Sequence, residues 1–415
     1  MITHAAALVV ERFVGRLSRS PADPRRHAAA LRRFEGRFGL YIHIPFCRSL
    51  CRFCSFVRYP YDPALYRRYK AALAKELQFL AEAAEGAKVD VLYVGGGTPT
   101  VDVYALAEIL DVAKSHFGRL DISVEANPAD VTDESISVLK EAGVERLSIG
   151  LQSLYDAKLA ELGRRSHTAA QGAQAARLAA GRFPTVNIDM IWGTRLDTPA
   201  TLRREAALAL SLGVGQVTFY PLMPGPGLRK TLRQRGEGPW HPQEEALYGA
   251  ILETASERGY APATPWCFSR TAGLIDEYVV DHDVYLAAGA SAIGRSNWYI
   301  YVNSFDPTKY VDYVERRGHG AARAMYIAPW EDALYYASTA LFGLRWCPRE
   351  VERRYGPLGQ LINASVAPYA RLHGQRRGPC YRITSPKALY QIHQMQRGIY
   401  MGLNALREWG MKTRT

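Results

Sequence analysis

The chain of 415 residues is 48% hydrophobic and 22% charged, and its 52 Lys and Arg against 40 Asp and Glu leave a net charge of +12. That composition excludes a disordered or fibrous chain, and at roughly 150 residues per domain it admits two or three folded units, fewer if one is a barrel. No apolar run approaches the roughly 20 residues that cross a bilayer, and Ala5–Val10 is too short for the core of a secretory signal, so a cytoplasmic protein is expected.

The positive balance favours an anionic partner. Arg pairs such as Arg25-Arg26 and Arg376-Arg377 are scattered and no nucleic-acid signature accompanies them, so nucleic acid is not expected. Carboxylate-rich substrates, acidic electron carriers and peripheral contact with anionic lipid stay open.

Met1–Gly39 reads as a basic helical arm broken by Pro21 and Pro24. From Leu40, short β-rich runs alternate with amphipathic stretches. The predicted strands are Leu40–Pro45, Val89–Gly95, Asp121–Asn127, Arg146–Gln152, Thr185–Trp192 and Gln216–Leu222. Helices are predicted at Pro63–Ala84, Val101–Phe117, Asp133–Ala142, Tyr155–Gly163, Thr168–Gly181 and Thr198–Leu212. Six such units predict an α/β protein built on a partial (β/α)6 TIM-type barrel, whose chemistry belongs at the C-terminal strand ends.

After Met223 the run Pro224-Gly225-Pro226-Gly227 and a polar stretch to Pro242 mark a junction. The expected division is therefore an arm over 1–39, a barrel over 40–225 and an α+β accessory region over 226–415 that caps the substrate. In that region Tyr285–Ala292 and Trp298–Val302 are strand-like, and Tyr381–Met395 reads as strand, turn and long helix. The aromatic run Trp298–Tyr301 fits either a cavity wall or strand packing.

Three of the six cysteines sit in Cys47-Arg-Ser-Leu-Cys51-Arg-Phe-Cys54, directly after the first strand. A structural zinc with His43 as fourth ligand is one reading, but zinc sites normally come as two separated ligand pairs. Three thiolates on one loop suit a 4Fe-4S cluster with one iron left open. Such an iron can bind the amine and carboxylate of S-adenosylmethionine (SAM), and one-electron reduction then gives a 5′-deoxyadenosyl radical. Cys267, Cys347 and Cys380 are expected to stand alone as small buried side chains.

Taken in order, Tyr41-Ile-His-Ile-Pro45-Phe-Cys47-x3-Cys51-x-Phe53-Cys54, Gly95-Gly-Gly97-Thr98-Pro99-Thr100, Glu125-Ala-Asn127-Pro128, Arg146-Leu-Ser148-Ile-Gly150-Leu-Gln152-Ser153, Leu162-Gly163-Arg164 and Asn187-Ile-Asp189 carry a family likeness. The chain resembles the radical SAM enzymes of the oxygen-independent coproporphyrinogen III oxidase (HemN-like) group over about Leu40–Gly294. The resemblance implies that Cys47, Cys51 and Cys54 hold the cluster and that Gly95, Gly96, Gly97 and Thr98 hold the SAM amino group. It further implies that Glu125 accepts the ribose hydroxyls, that Tyr41, Phe53, Pro221 and Ile293 line the same SAM, and that Gln152, Arg164 and Asp189 contact a second SAM or the substrate. An oxidoreductase acting on a small porphyrinogen- or lipid-like substrate, with a flavodoxin- or ferredoxin-type electron donor, is then expected. A two-SAM methylase or cyclopropanase, a C–C bond-forming enzyme and a HemW-like heme chaperone are the other readings.

Two departures stand out. The porphyrinogen oxidases usually carry a further cysteine soon after the third, where this chain has Ser55-Phe56, nearer to the chaperone and methylase branches. Those branches generally read Gly-Leu-Pro-x-Gln-Thr after the fifth strand, where this chain has Gly193-Thr-Arg195-Leu-Asp197-Thr198. Trp192 and Arg195 are therefore expected to face a rebuilt substrate region. His43 is expected to pack or to bond a cluster sulfur, and His167 to lie on a surface loop.

Overall fold

The structure, a computed structural model, describes residues 2–34, 36–234, 241–271 and 278–414. Part of the predicted polar stretch to Pro242, residues 235–240, lies outside them.

Helices α1 (Ile2–Ser18) and α2 (Pro24–Leu31) come first, and β1 (Gly36–Ile44) then leads into the cysteine loop, whose two ends pair as β2 (Phe46–Cys47) and β3 (Tyr59–Pro60). The repeat continues as α3 (Pro63–Ala83), β4 (Ala87–Gly96), α4 (Val103–Phe117), β5 (Asp121–Ala126), α5 (Asp133–Glu141), β6 (Val144–Gln152), α6 (Asp156–Leu162), α7 (Ala169–Ala179), β7 (Thr185–Trp192), α8 (Pro199–Leu210) and β8 (Gln216–Pro221). These strands are mostly buried and rich in Val, Ile and Leu, with buried polar residues such as Ser148, Asn187 and Thr218 between them, and turn residues bound them, which is why their limits could be read in advance. A polar cap starts most of the crossover helices: Asp62, Asp102, Thr132, Thr168 and Thr198 each accept from a backbone N–H of the first turn.

Beyond the repeat lie α9 (Pro226–Gln234), α10 (Glu244–Glu257), β9 (Ala261–Pro262), β10 (Cys267–Ser269), β11 (Tyr285–Ala288), β12 (Ile293–Arg295), β13 (Tyr299–Asn303), α11 (Pro307–Arg317), β14 (Ala321–Tyr326), α12 (Pro329–Phe342), β15 (Arg345–Trp346), α13 (Pro348–Tyr355), α14 (Pro357–His373), β16 (Gly374–Arg377), β17 (Cys380–Ile383) and α15 (Pro386–Thr413). One sheet of 12 strands runs in the order β14-β13-β12-β11-β1-β4-β5-β6-β7-β8-β10-β9. The pairs from β1 to β8 are all parallel, as is the β1–β11 pair, and the outer strands are antiparallel. The fold is thus the expected α/β partial barrel, with strands from residues 226–415 extending both edges of the same sheet.

Two expectations need correction. Cys347 and Cys380 do not stand alone: antiparallel pairing of Trp346 with Tyr381 brings them side by side, and they form a disulfide. Trp192 does not face a substrate region either. It is buried, donates from Nε1 to the Phe219 carbonyl at 3.0 Å and stacks on Tyr248 and His393, while Arg195 lies exposed against Glu161.

Candidate functional site

The site collects at the C-terminal ends of β1, β4, β5, β6 and β7. Cys47 and Cys51 are buried and Cys54 is half-buried. Arg58 shapes their loop by donating to the carbonyls of Cys51 at 2.7 Å and Phe56 at 3.1 Å. Thr98 Oγ1 donates to the Cys47 sulfur at 3.4 Å and Arg164 Nη1 to the Cys51 sulfur at the same distance. Burial pushes the Cys47 thiol up to about 11 and raises that of Cys54, so both are neutral until a metal displaces their protons.

The glycine segment at the C-terminal end of β4 is closely packed. A Cβ on Gly97 would come within 2.9 Å of the Cys47 sulfur and of the Phe46 backbone, and one on Gly95 within 2.8 Å of Glu125 Oε1. Gly96 adopts φ +128° against the Ile44 backbone. Glu125 is oriented by two donors, the Tyr93 hydroxyl at 2.9 Å and the Gly96 N–H at 3.1 Å.

Gln152 ends β6 with φ +70°, at an irregularity in its pairing with β7. Strained backbone of this kind at a strand end accompanies functional positions. Asp189, on β7, accepts from Asn187 Nδ2 at 2.8 Å and Ser148 Oγ at 3.2 Å, and Asn187 in turn accepts from Thr218. Arg164 Nη2 donates to the Gly150 carbonyl at 2.8 Å, while its buried Nε has no protein partner. Arg164 therefore ties the cysteine loop to β6.

Tyr41 shares a hydrogen bond of 2.8 Å with His43 Nδ1, and His43 Nε2 donates to the Val57 carbonyl at 3.0 Å. Burial above all lowers His43 to about 4, so the ring is neutral. Both its nitrogens are engaged, which leaves neither for the zinc of the first reading or for a cluster sulfur. Phe53 and Ile293 are half-buried, and Pro221 is buried at the end of β8. His167 is buried rather than on the surface; it pairs with the Leu151 carbonyl, and burial lowers it to about 4. Tyr299 and Tyr301 are core residues.

Two features were not foreseen. Behind the loops after β6 and β7, buried Lys158 pairs with Asp197 at 2.7 Å and Glu205 at 2.8 Å. From α15, the Arg407 guanidinium lies 4.3 Å over the Phe56 ring. Helical spacing puts Tyr400, Asn404 and Arg407 on one face of α15 but does not say where that helix docks.

Among the described residues no group of three or more His, Cys, Asp or Glu side chains is arranged to hold a single metal ion. The three thiols share one loop, and the glycine segment lies close against Cys47. That donor set fits a larger cluster.

Comparison with known proteins agrees. Residues 41–220 match the radical SAM superfamily. "Heme chaperone HemW" of Mycobacterium tuberculosis is 32% identical over 244 residues, covering 55% of this chain and 62% of that protein, so the chain spans under two thirds of that relative. "Oxygen-independent coproporphyrinogen III oxidase" of Bradyrhizobium diazoefficiens is 27% identical over 278 residues, covering 62% of each chain. Coproporphyrinogen III oxidase (HemN) from Escherichia coli superimposes with a TM-score of 0.73 at 20% identity, over 90% of this chain and 93% of that one, which establishes a shared fold.

The match assigns residues 41–220 to the radical SAM superfamily, which implies a 4Fe-4S cluster and SAM as cofactors. Its sequence relatives and its shared fold are with HemN- and HemW-like proteins of that superfamily.

Proposed function

We propose that the chain is a radical SAM enzyme that cleaves SAM reductively and abstracts a hydrogen atom from an organic substrate. The observation that carries this reading is the meeting of three strand ends: the cysteine loop after β1, the glycine segment after β4 that touches the Cys47 sulfur, and Glu125 on β5. When bound, the cluster and SAM supply a 5′-deoxyadenosyl radical on one-electron reduction.

In this reading Cys47, Cys51 and Cys54 ligate iron. Backbone groups of Gly95–Thr98 receive the SAM amino group, Glu125 accepts the ribose hydroxyls, and Tyr41, Phe53, Pro221 and Ile293 enclose the cofactor. Gln152, Arg164 and Asp189 contact the substrate or a second SAM. The barrel of residues 40–225 carries the chemistry and residues 226–415 cap a small-molecule substrate that is hydrophobic, carboxylated or lipid-like. A flavodoxin- or ferredoxin-type protein supplies the electron.

Heme binding is the second reading, favoured by the names of the relatives at 32% identity. A two-SAM methylase is a variant of the first. Anaerobic reconstitution separates them. Formation of 5′-deoxyadenosine that rises with substrate supports the enzyme, and S-adenosylhomocysteine beside it marks a methylase. Stoichiometric heme binding without SAM turnover marks a chaperone and contradicts the enzyme.

A further inference from the structure

Helix α15 lies across the C-terminal end of the barrel. Asn404 Nδ2 donates to the carbonyl of Met223, just past β8, at 3.1 Å, and Glu408 accepts from the Gly227 N–H at 2.9 Å. Gly402 and Gly410 let Val10 and Phe305 approach the helix so closely that a Cβ would come within 2.5 Å and 2.3 Å of them. With the helix held in this way, its register is set.

Tyr400, Asn404 and Arg407 share one face at i, i+4 and i+7. Tyr400 meets the Trp266 ring at 5.2 Å, and Arg407 lies over Phe56, a residue of the cysteine loop. The Arg407 charge is also felt at Tyr41, His43 and Tyr285, where it works to lower pKa values that burial mainly sets. The guanidinium is half-buried, and its contacts are the Asn404 amide oxygen at 3.0 Å and an aromatic ring. Neither neutralises it. A cation set among rings at the mouth of a barrel, with no anion against it among the described residues, is complementary to a carboxylate on an apolar body, which a guanidinium fork can grip through two parallel hydrogen bonds.

We infer that Arg407 is a specificity-determining residue that receives a substrate carboxylate beside the cysteine loop, an assignment that rests on the radical SAM reading of that loop. The rings of Phe56, Tyr285 and Tyr400 receive the substrate's apolar body. Arg407 comes from the last helix, so it reaches the cysteine loop only when α15 is docked.

The test uses full-length protein, reconstituted without air, titrated with coproporphyrin III, which carries four carboxylates, and with its uncharged tetramethyl ester. Wild type binds the acid at least about tenfold tighter than the ester, the size of effect a charged fork supplies. In Arg407→Gln that preference falls to near one, while ester affinity, SAM affinity and iron and sulfide content are unchanged. Where Arg407→Gln loses its cluster, Arg407→Lys decides: it keeps the charge without the fork, so a narrowed preference supports the assignment and an unchanged one overturns it. A loaded wild type without the preference, an Arg407→Gln protein that retains it, or one that loses SAM affinity instead, also overturns it. A wild type without iron, sulfide and 5′-deoxyadenosine counts against the proposed function itself.

Discussion

Glu125 spends both carboxylate oxygens on fixing the strand end that would cradle SAM, one on Tyr93 and one on the Gly96 N–H. Replacing it by Ala leaves the Gly96 N–H without its charged acceptor, an interaction of about 1.5–3 kcal/mol. SAM affinity is therefore expected to fall roughly 10- to 100-fold with the cluster retained, read by equilibrium binding beside iron analysis; unaltered affinity would remove Glu125 from the site. Gly97→Ala has a different consequence. The added methyl sits 2.9 Å from the Cys47 sulfur and from backbone that cannot swing away, so iron incorporation is expected to fail in a protein whose circular dichroism stays native. Most of these residues were legible in the sequence because they follow strand ends in ordered motifs. Arg407 was not, because its nearness to Phe56 depends on how α15 docks about 350 residues later in the chain, which no local pattern encodes.

Among the elements, the loops after β6 and β7 are joined from behind by Lys158, Asp197 and Glu205, with Ser153 and the Leu154 N–H also bonded to Glu205. Removing the cation leaves two buried carboxylates facing each other. Lys158→Met is expected to cost about 3–5 kcal/mol in denaturant unfolding, and a loss below about 1 kcal/mol, the scale of an exposed pair, would mean that water reaches the triad. The six long strands were foreseen to within a few residues, since they are β-rich runs bounded by Gly, Pro and Asn. β1 opens at Gly36 rather than Leu40 because pairing with β4 starts at the solvent-exposed Gly36 and Arg37, which carry no hydrophobic signal. The Cys347–Cys380 bond joins positions 33 residues apart through the pairing of β15 with β17, two short strands with no periodic signature. A stabilisation of roughly 2–4 kcal/mol is expected from it, measurable by unfolding Cys347→Ala with Cys380→Ala against wild type.

At the scale of the molecule, burial keeps several histidines neutral: His43, His167 and His319 are lowered to about 4, His393 to about 3, and His27 well below its usual value. A base whose folded pKa is depressed stabilises the fold when neutral, so its contribution is present above the unfolded value of 6.5 and is lost as pH falls from there towards 4. His282 is lowered by burial too, while Glu76, which burial raises to about 7, and Asp130, which burial also raises, work in the opposite sense, two groups against six. The melting temperature is therefore expected to drop steadily between pH 7 and pH 4.5; a flat profile would show that these rings are solvated.

All of these chemical roles depend on the loop from Cys47 to Cys54 holding an iron–sulfur cluster. The direct test is the metal and sulfide content of protein purified without air, wild type beside Cys51→Ala. About four iron and four sulfide per chain in the wild type, lost or much reduced in the variant, is the expected result. Stoichiometric zinc, or a wild type without iron and sulfide, would contradict it.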